Sequence, residues 1–169
     1  MADSRKLAFD PVAEARRQWG VHGWGEAASA MAVVTSVMRV QQLFMARADA
    51  QLRPFGLTFA RYEVLTLLLF TRRGELPLGK LGERLQVGAA SVTNAIDRLQ
   101  SDGLVTRRSN PVDGRGVLAA ITASGTRLVT SASEALNSRF FATLELSGEE
   151  MDELFVLLRE LRRRAGDFA

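Results

Sequence analysis

Ser91, Thr93, Asn94 and Arg98 fall at spacings that bring them to one side of a helix, while Val92, Ala95, Ile96 and Leu99 fall on the other. Hydroxyls can donate to phosphate oxygens, a carboxamide has the donor and acceptor pair that matches adenine, and a guanidinium can reach guanine or a phosphate. The same face carries Asp97, whose charge would repel a polyanion, so Asp97 is expected to pair within the protein. A second group follows in Asn110-Pro-Val-Asp-Gly-Arg-Gly116, a cluster of turn formers that presents Asp113, Gly114 and Arg115 at a tip and leaves Arg108 at the end of the preceding run. The competing explanation for the helix face is ordinary solvation, and for Asp113 with Arg115 a surface ion pair worth ~0–1 kcal/mol.

Elements able to hold these residues can be read around them. Leu78, Leu81 and Leu85 form the apolar side of a short helix, with Gly82 where a second helix could cross closely, and the helix beginning near Ala89 comes after a tight turn. Two short helices joined in this way have the geometry of a helix-turn-helix. Gly103 suits the end of the second helix, and Leu104 to Ser109 and Val117 to Ile121 read as strands on either side of the turn cluster. Helix, turn, helix, strand, turn and strand make a winged helix.

The flanks are helical. Asp10 and Pro11 signal a helix start, with Val12, Ala15, Arg16 and Trp19 at helical spacing and a stop near residues 20–25. Glu26 to Arg53 is one long helical segment whose Met31, Val34, Met38, Leu43, Met45 and Leu52 are more apolar surface than a small domain can bury. Thr58 opens a helix expected to run to Arg73, and Gly74 to Pro77 is read as a turn. A helix is expected from Thr122 to about Leu144. Ser147 with Glu150 then forms a capping box ahead of Met151, Leu154, Phe155, Leu158 and Leu161. Arg162, Arg163 and Arg164 close that helix, where cations favour its dipole. The expected organisation is an extension with a short helix over 1–25, a dimerisation helix over 26–57, a winged helix-turn-helix over 58–122 and dimerisation helices over 123–169. The fold class is mainly α with a small β-wing.

Composition narrows the function. The 169 residues are 47% hydrophobic and 24% charged, ordinary for a globular chain, and no apolar run is long enough for a membrane span. The first ten residues hold Asp3, Arg5, Lys6 and Asp10 without an apolar stretch, so a cytoplasmic protein is expected. Zero cysteines exclude thiol nucleophiles and thiol redox sensing, and with one histidine, His22, no zinc site is expected, since such metals want several His or Cys ligands. There is no Gly-x-Ser-x-Gly elbow and no phosphate-cradling glycine loop, and Glu149 with Glu150 is explained by capping. An enzyme is not expected, nor a cofactor. The net charge is +3, from 22 Lys+Arg against 19 Asp+Glu, and Lys6 and Lys80 are the sole lysines. Arginine suits phosphate, but a GC-rich genome gives the same bias.

With Gly56-Leu-Thr58, Leu81-Gly-Glu-Arg-Leu85, Ser91-Val-Thr-Asn-Ala-Ile-Asp-Arg-Leu99, Asp102-Gly-Leu-Val105 and the wing that ends in Ile121-Thr122, the chain resembles the MarR-type family of bacterial transcriptional regulators over roughly Glu26 to Leu161. The resemblance implies an intertwined helical homodimer that presents two winged helices to double-stranded DNA. It also implies a repressor released by a small aromatic or lipophilic effector. On that footing the helix from Ala89 lies in a major groove, Arg115 enters a minor groove steadied by Asp113, and the half-sites lie ~34–36 Å apart. Trp19, Trp24, Phe59 and Tyr62 become candidate walls of the effector pocket, their alternative being plain core. Gln86 departs from the glycine common in such turns. The extension from Asp10 to Gly25 resembles the added amino-terminal helix of the urate-responsive subgroup, but Glu63 and Ala95 do not match that subgroup's ligand pattern, so no urate site is assigned. The rival reading is a ligand- or protein-binding dimer whose winged helix does not grip DNA. Only a small positive excess lies between Arg72 and Arg115, which hold eight basic and five acidic residues.

Overall fold

Several helix starts in this chain are set by side chains that accept from otherwise orphaned amides. In the computed structural model, which describes residues 7–111 and 116–169, Asp10 Oδ1 accepts from the Val12 amide at 2.9 Å and Pro11 begins α1 (Pro11–Val21). Within α1 the Arg17 guanidinium, and after it the Gln18 amide, bind Glu14 at 2.8–2.9 Å and hold its carboxyl down to about 2. A short reversal through Gly23 (φ +82°) leads into α2 (Gly25–Leu52), against whose beginning α1 packs. One 3-10 turn over Arg53–Phe55 ends on Gly56 in the left-handed region. Thr58 then caps α3 (Phe59–Leu69).

α3 stops four residues short of the expected Arg73. The Thr71 hydroxyl donates to the Leu68 carbonyl at 2.7 Å, so the last turn is closed by a side chain. The chain then reverses at Gly74 (φ +67°). The segment read as a turn there is in part a strand, β1 (Glu75–Pro77), a correction to the sequence reading. Three residues are too few for period-two alternation to register, and Pro77 reads as a breaker although a sheet edge tolerates it.

Next come α4 (Leu78–Leu85), α5 (Ala89–Ser101), β2 (Val105–Ser109) and β3 (Val117–Ile121). The antiparallel sheet has the order β1-β3-β2, with Leu76 opposite Ala119 and Arg107 opposite Ala119 on its other side. Thr122 caps α6 (Ala123–Arg139), which ends earlier than the expected Leu144. The remainder is a separate 3-10 turn, Phe141–Thr143, where the Thr143 hydroxyl donates to the Phe140 carbonyl at 2.9 Å. The Ser147–Glu150 capping box forms in full at the start of α7 (Gly148–Arg164).

One core unites the middle of the chain. Leu65 and Leu68 of α3 meet Leu81 of α4, Val92, Ile96 and Leu99 of α5, Ala119 of β3 and Val129, Ala132 and Leu136 of α6. Only the end of α2, through Ala48 and Leu52, joins it. The rest of α2 exposes Val33, Val34, Val37, Met38, Val40 and Leu43, and α7 exposes Met151, Leu154, Phe155, Val156, Leu157 and Leu161. α7 buries none of its residues in its own chain. Among the described residues no helix is long and apolar enough to cross a membrane.

Candidate nucleic-acid interface

The turn between α4 and α5 is built from backbone closures. Gln86 takes the left-handed conformation (φ 54°), and the Val87 amide donates to the Gly82 carbonyl at 3.1 Å. A Cβ on Gly82 would lie 3.1 Å from the Val87 carbonyl oxygen and 3.5 Å from Val92 Cγ2, so the small residue there permits the close crossing. Gly88 precedes α5, and its carbonyl accepts from Ser91 and Val92 at 3.0 and 3.2 Å.

From that start, helical period divides α5 as the sequence predicts. Val92, Ile96 and Leu99 are buried and Ala95 is partly so, while Ser91, Thr93, Asn94, Asp97 and Arg98 are exposed. The structure therefore brings the four candidate contact residues of the helix to one open face. Asp97 is paired within the protein, as expected, and its partner is Arg107. A second nitrogen of Arg107 lies 3.4 Å from the Thr93 carbonyl oxygen, so this arginine staples β2 to α5 and cancels the one negative charge on its open face.

Arg107 is a residue the sequence reading passed over in favour of its neighbour. The signal was present: Val105 points into the core, and side chains two apart share a face of a strand, so Arg107 turns toward α5 and Arg108 away from it. Arg108 instead pairs with the mostly buried Glu75 carboxylate of β1 and stays half exposed. The candidates Asp113, Gly114 and Arg115 lie outside the described residues. At the base of that turn the Asn110 amide donates to the Gly116 carbonyl at 2.9 Å.

Further contacts fix the head as a unit. Arg61 on α3 bonds Asp102, just past α5, at 3.2 Å and the Gly56 carbonyl at 2.6 Å, tying the beginning of one helix to the end of the other. Thr122 donates its amide to the Leu104 carbonyl at 3.0 Å and its hydroxyl to the Gly103 carbonyl at 2.9 Å, and accepts from the Gly125 amide at 3.0 Å. The apolar-Thr pair that closes the wing motif is thus the joint between the wing, the end of α5 and α6.

The four aromatic candidates form two pairs. Trp19 and Trp24 meet edge to face with ring centres 5.3 Å apart where α1 turns into α2, and His22 leans on Trp24 at 5.8 Å. Phe59 and Tyr62 lie 6.0 Å apart on α3, the Tyr62 ring buried and its hydroxyl 3.0 Å from Ser133 Oγ on α6. A cleft of about 190 Å³ between α4 and α5 is walled by other residues, among them Leu78, Gly82, Val87 and Val92.

Comparison with known proteins agrees with this geometry. A model of the MarR family matches residues 55–116, the span from the end of the 3-10 turn before α3 to the residue before β3. Sco5413, a MarR family transcriptional regulator from Streptomyces coelicolor, superposes with a TM-score of 0.76 at 48% identity, covering 83% of this chain and 97% of that one. A mutant of MarR from E. coli, solved in complex with operator DNA, superposes with a TM-score of 0.73 at 25% identity, covering 80% of this chain and 96% of that one. The organic hydroperoxide resistance transcriptional regulator of Bacillus subtilis (strain 168) is 28% identical over 113 residues, 64% of this chain and 75% of the relative. With its helix-turn-helix matched by the family model and the chain aligned over nearly the whole of Sco5413 at 48% identity, the chain belongs to the MarR family of transcriptional regulators.

Proposed function

We propose that two copies of this chain regulate transcription by binding an inverted repeat in duplex DNA, each laying α5 in a major groove. The observation that carries the reading is the open face of α5, where Ser91, Thr93, Asn94 and Arg98 are offered together and the Asp97 charge is already neutralised by Arg107. Asn94 and Arg98 are the side chains suited to base edges, and Ser91 and Thr93 to phosphates. Arg115 of the turn sequence, with Asp113 and Gly114, would add a minor-groove contact, and Arg108 would join it on leaving its pair with Glu75. The exposed apolar faces of α2 and α7 supply what a twofold pairing of chains would bury.

Operator release by a small aromatic or lipophilic effector completes the reading, with repression as the default state. Trp19, Trp24, Phe59 and Tyr62 are the candidate contacts for such a ligand. A cysteine-based response is not open to a chain with no cysteine. DNA from upstream of the protein's own coding region, titrated beside a random duplex of equal length, tests the first part. Tighter binding to the upstream fragment and a steep salt dependence are expected, with the preference for that fragment lost in Asn94→Ala and Arg98→Ala. Equal, weak affinity for both duplexes would overturn it. Quenching of tryptophan fluorescence by aromatic acids, in parallel with release of the fragment, tests the second.

A further inference from the structure

Gln86 occupies a backbone conformation that glycine adopts freely and that a residue with a Cβ adopts only at a cost (φ 54°, ψ 39°). What its side chain does there is visible far along the chain. Gln86 Nε2 donates to the backbone carbonyl of Asp167, 81 residues later, at 3.1 Å.

The acceptor is held firmly. Gly166 (φ +79°) ends α7 in a Schellman turn, the Gly166 amide donating to the Arg163 carbonyl at 3.1 Å and the Asp167 amide to the Arg162 carbonyl at 3.0 Å. Arg162 Nε returns to the Asp167 carboxylate at 3.1 Å. The Phe168 ring lies against the guanidinium groups of Arg159 and Arg162, 5.4 and 5.2 Å from its centre. The carbonyl that Gln86 finds therefore belongs to a small rigid knot.

We propose that Gln86 is a positioning residue: it latches the turn of the helix-turn-helix to the end of α7 and so sets the orientation of α5 relative to the helix that pairs the two copies. This rests on the DNA-binding reading above. α7 buries none of its residues within its own chain, so intrachain packing does little to fix its angle to the reading head. Gln86 lies five residues before Ser91, close enough for a shift at the turn to move the contact face. Two heads held at a fixed angle to their shared helices read one half-site spacing, and two loosened heads read several.

The test uses Gln86→Gly, which suits the backbone and deletes the latch, and separately removal of residues 167–169, which deletes the acceptor and spares the turn. Each is titrated against the upstream inverted-repeat fragment and against versions with the half-sites moved by one and two base pairs. The unaltered protein is expected to prefer one spacing by tenfold or more. Each variant loses several-fold at that spacing and flattens the profile, the double variant is no worse than either, and the salt slope is unchanged because no phosphate contact is lost. Amide exchange at Gly166 and Asp167 speeds up in Gln86→Gly, a readout that needs no DNA. An unaltered spacing profile in both variants, or unaltered exchange, overturns the latch. Loss in Gln86→Gly alone, with the shortened chain behaving normally, shows instead that Gln86 touches the duplex itself. Failure of the unaltered protein to bind any duplex sinks the DNA-binding reading, and exchange still decides the latch.

Discussion

Asp97 is the residue on which the reading face turns, because an unpaired carboxylate among Thr93, Asn94 and Arg98 would oppose every phosphate brought near it. Its partner Arg107 is only about a quarter exposed while Asp97 is half exposed, so the pair adds at most ~1 kcal/mol to stability and its weight falls on binding. Arg107→Ala is expected to lower affinity for the upstream duplex about tenfold, ~1.4 kcal/mol, with little change in melting temperature. Asp97→Asn in the same chain should recover most of the loss, as a fluorescence anisotropy titration would measure. Glu14 carries a legible pH signature, as Glu160 does beside Arg163 and Arg164. The Glu14 carboxyl is held at about 2 against an ordinary 4.5, so its contribution is fully present above about 4.5 and is lost as pH falls toward 2. Circular dichroism of the protein beside Glu14→Gln should show more helix in the unaltered chain at pH 6 and no difference near pH 2.

At the level of elements, joints matter more than lengths. Gly125 lies in the first turn of α6 where a Cβ would stand 2.3 Å from the Leu104 carbonyl oxygen and 2.9 Å from Ile121 Cγ1. That oxygen already accepts from Thr122, so it has no freedom to retreat. Gly125→Ala should therefore destabilise the fold by about 1–3 kcal/mol, in a urea titration, despite alanine's better helix propensity. Elements of this kind were readable in the sequence where a local rule governs them: Asp10 and Ser147 as caps, the buried and open sides of α5, the small residue at the Gly82 crossing. Those that escaped depend on distant partners. β1 exists because β3 lies beside it, Arg107 outranks Arg108 because of which way a strand faces, and the reach of Gln86 to Asp167 has no trace in local spacing.

For the molecule as a whole, the division of apolar surface is decisive. The head has a complete core in one chain, whereas α7 and most of α2 leave Val34, Met38, Phe155 and Leu157 uncovered. Association should supply the missing burial, so the melting temperature should climb as protein concentration is raised over two to three orders of magnitude. A melting temperature independent of concentration, with a single-chain mass by sedimentation, would contradict the pairing. The sequence shows that these faces exist, since their spacing is helical. It does not show that the aromatic candidates split into a Trp19–Trp24 pair and a Phe59–Tyr62 pair, because their separation depends on where α1 folds back.

The isolation of α7 also bears on how long a copy survives. A solitary chain would hold out a seventeen-residue helix with no buried residue, tethered to the head at its far end by Gln86, and such arms are where proteases cut first. Mated chains would shield theirs in each other. Turnover would then fall on the unmated fraction, keeping the pool of this regulator weighted toward the paired form.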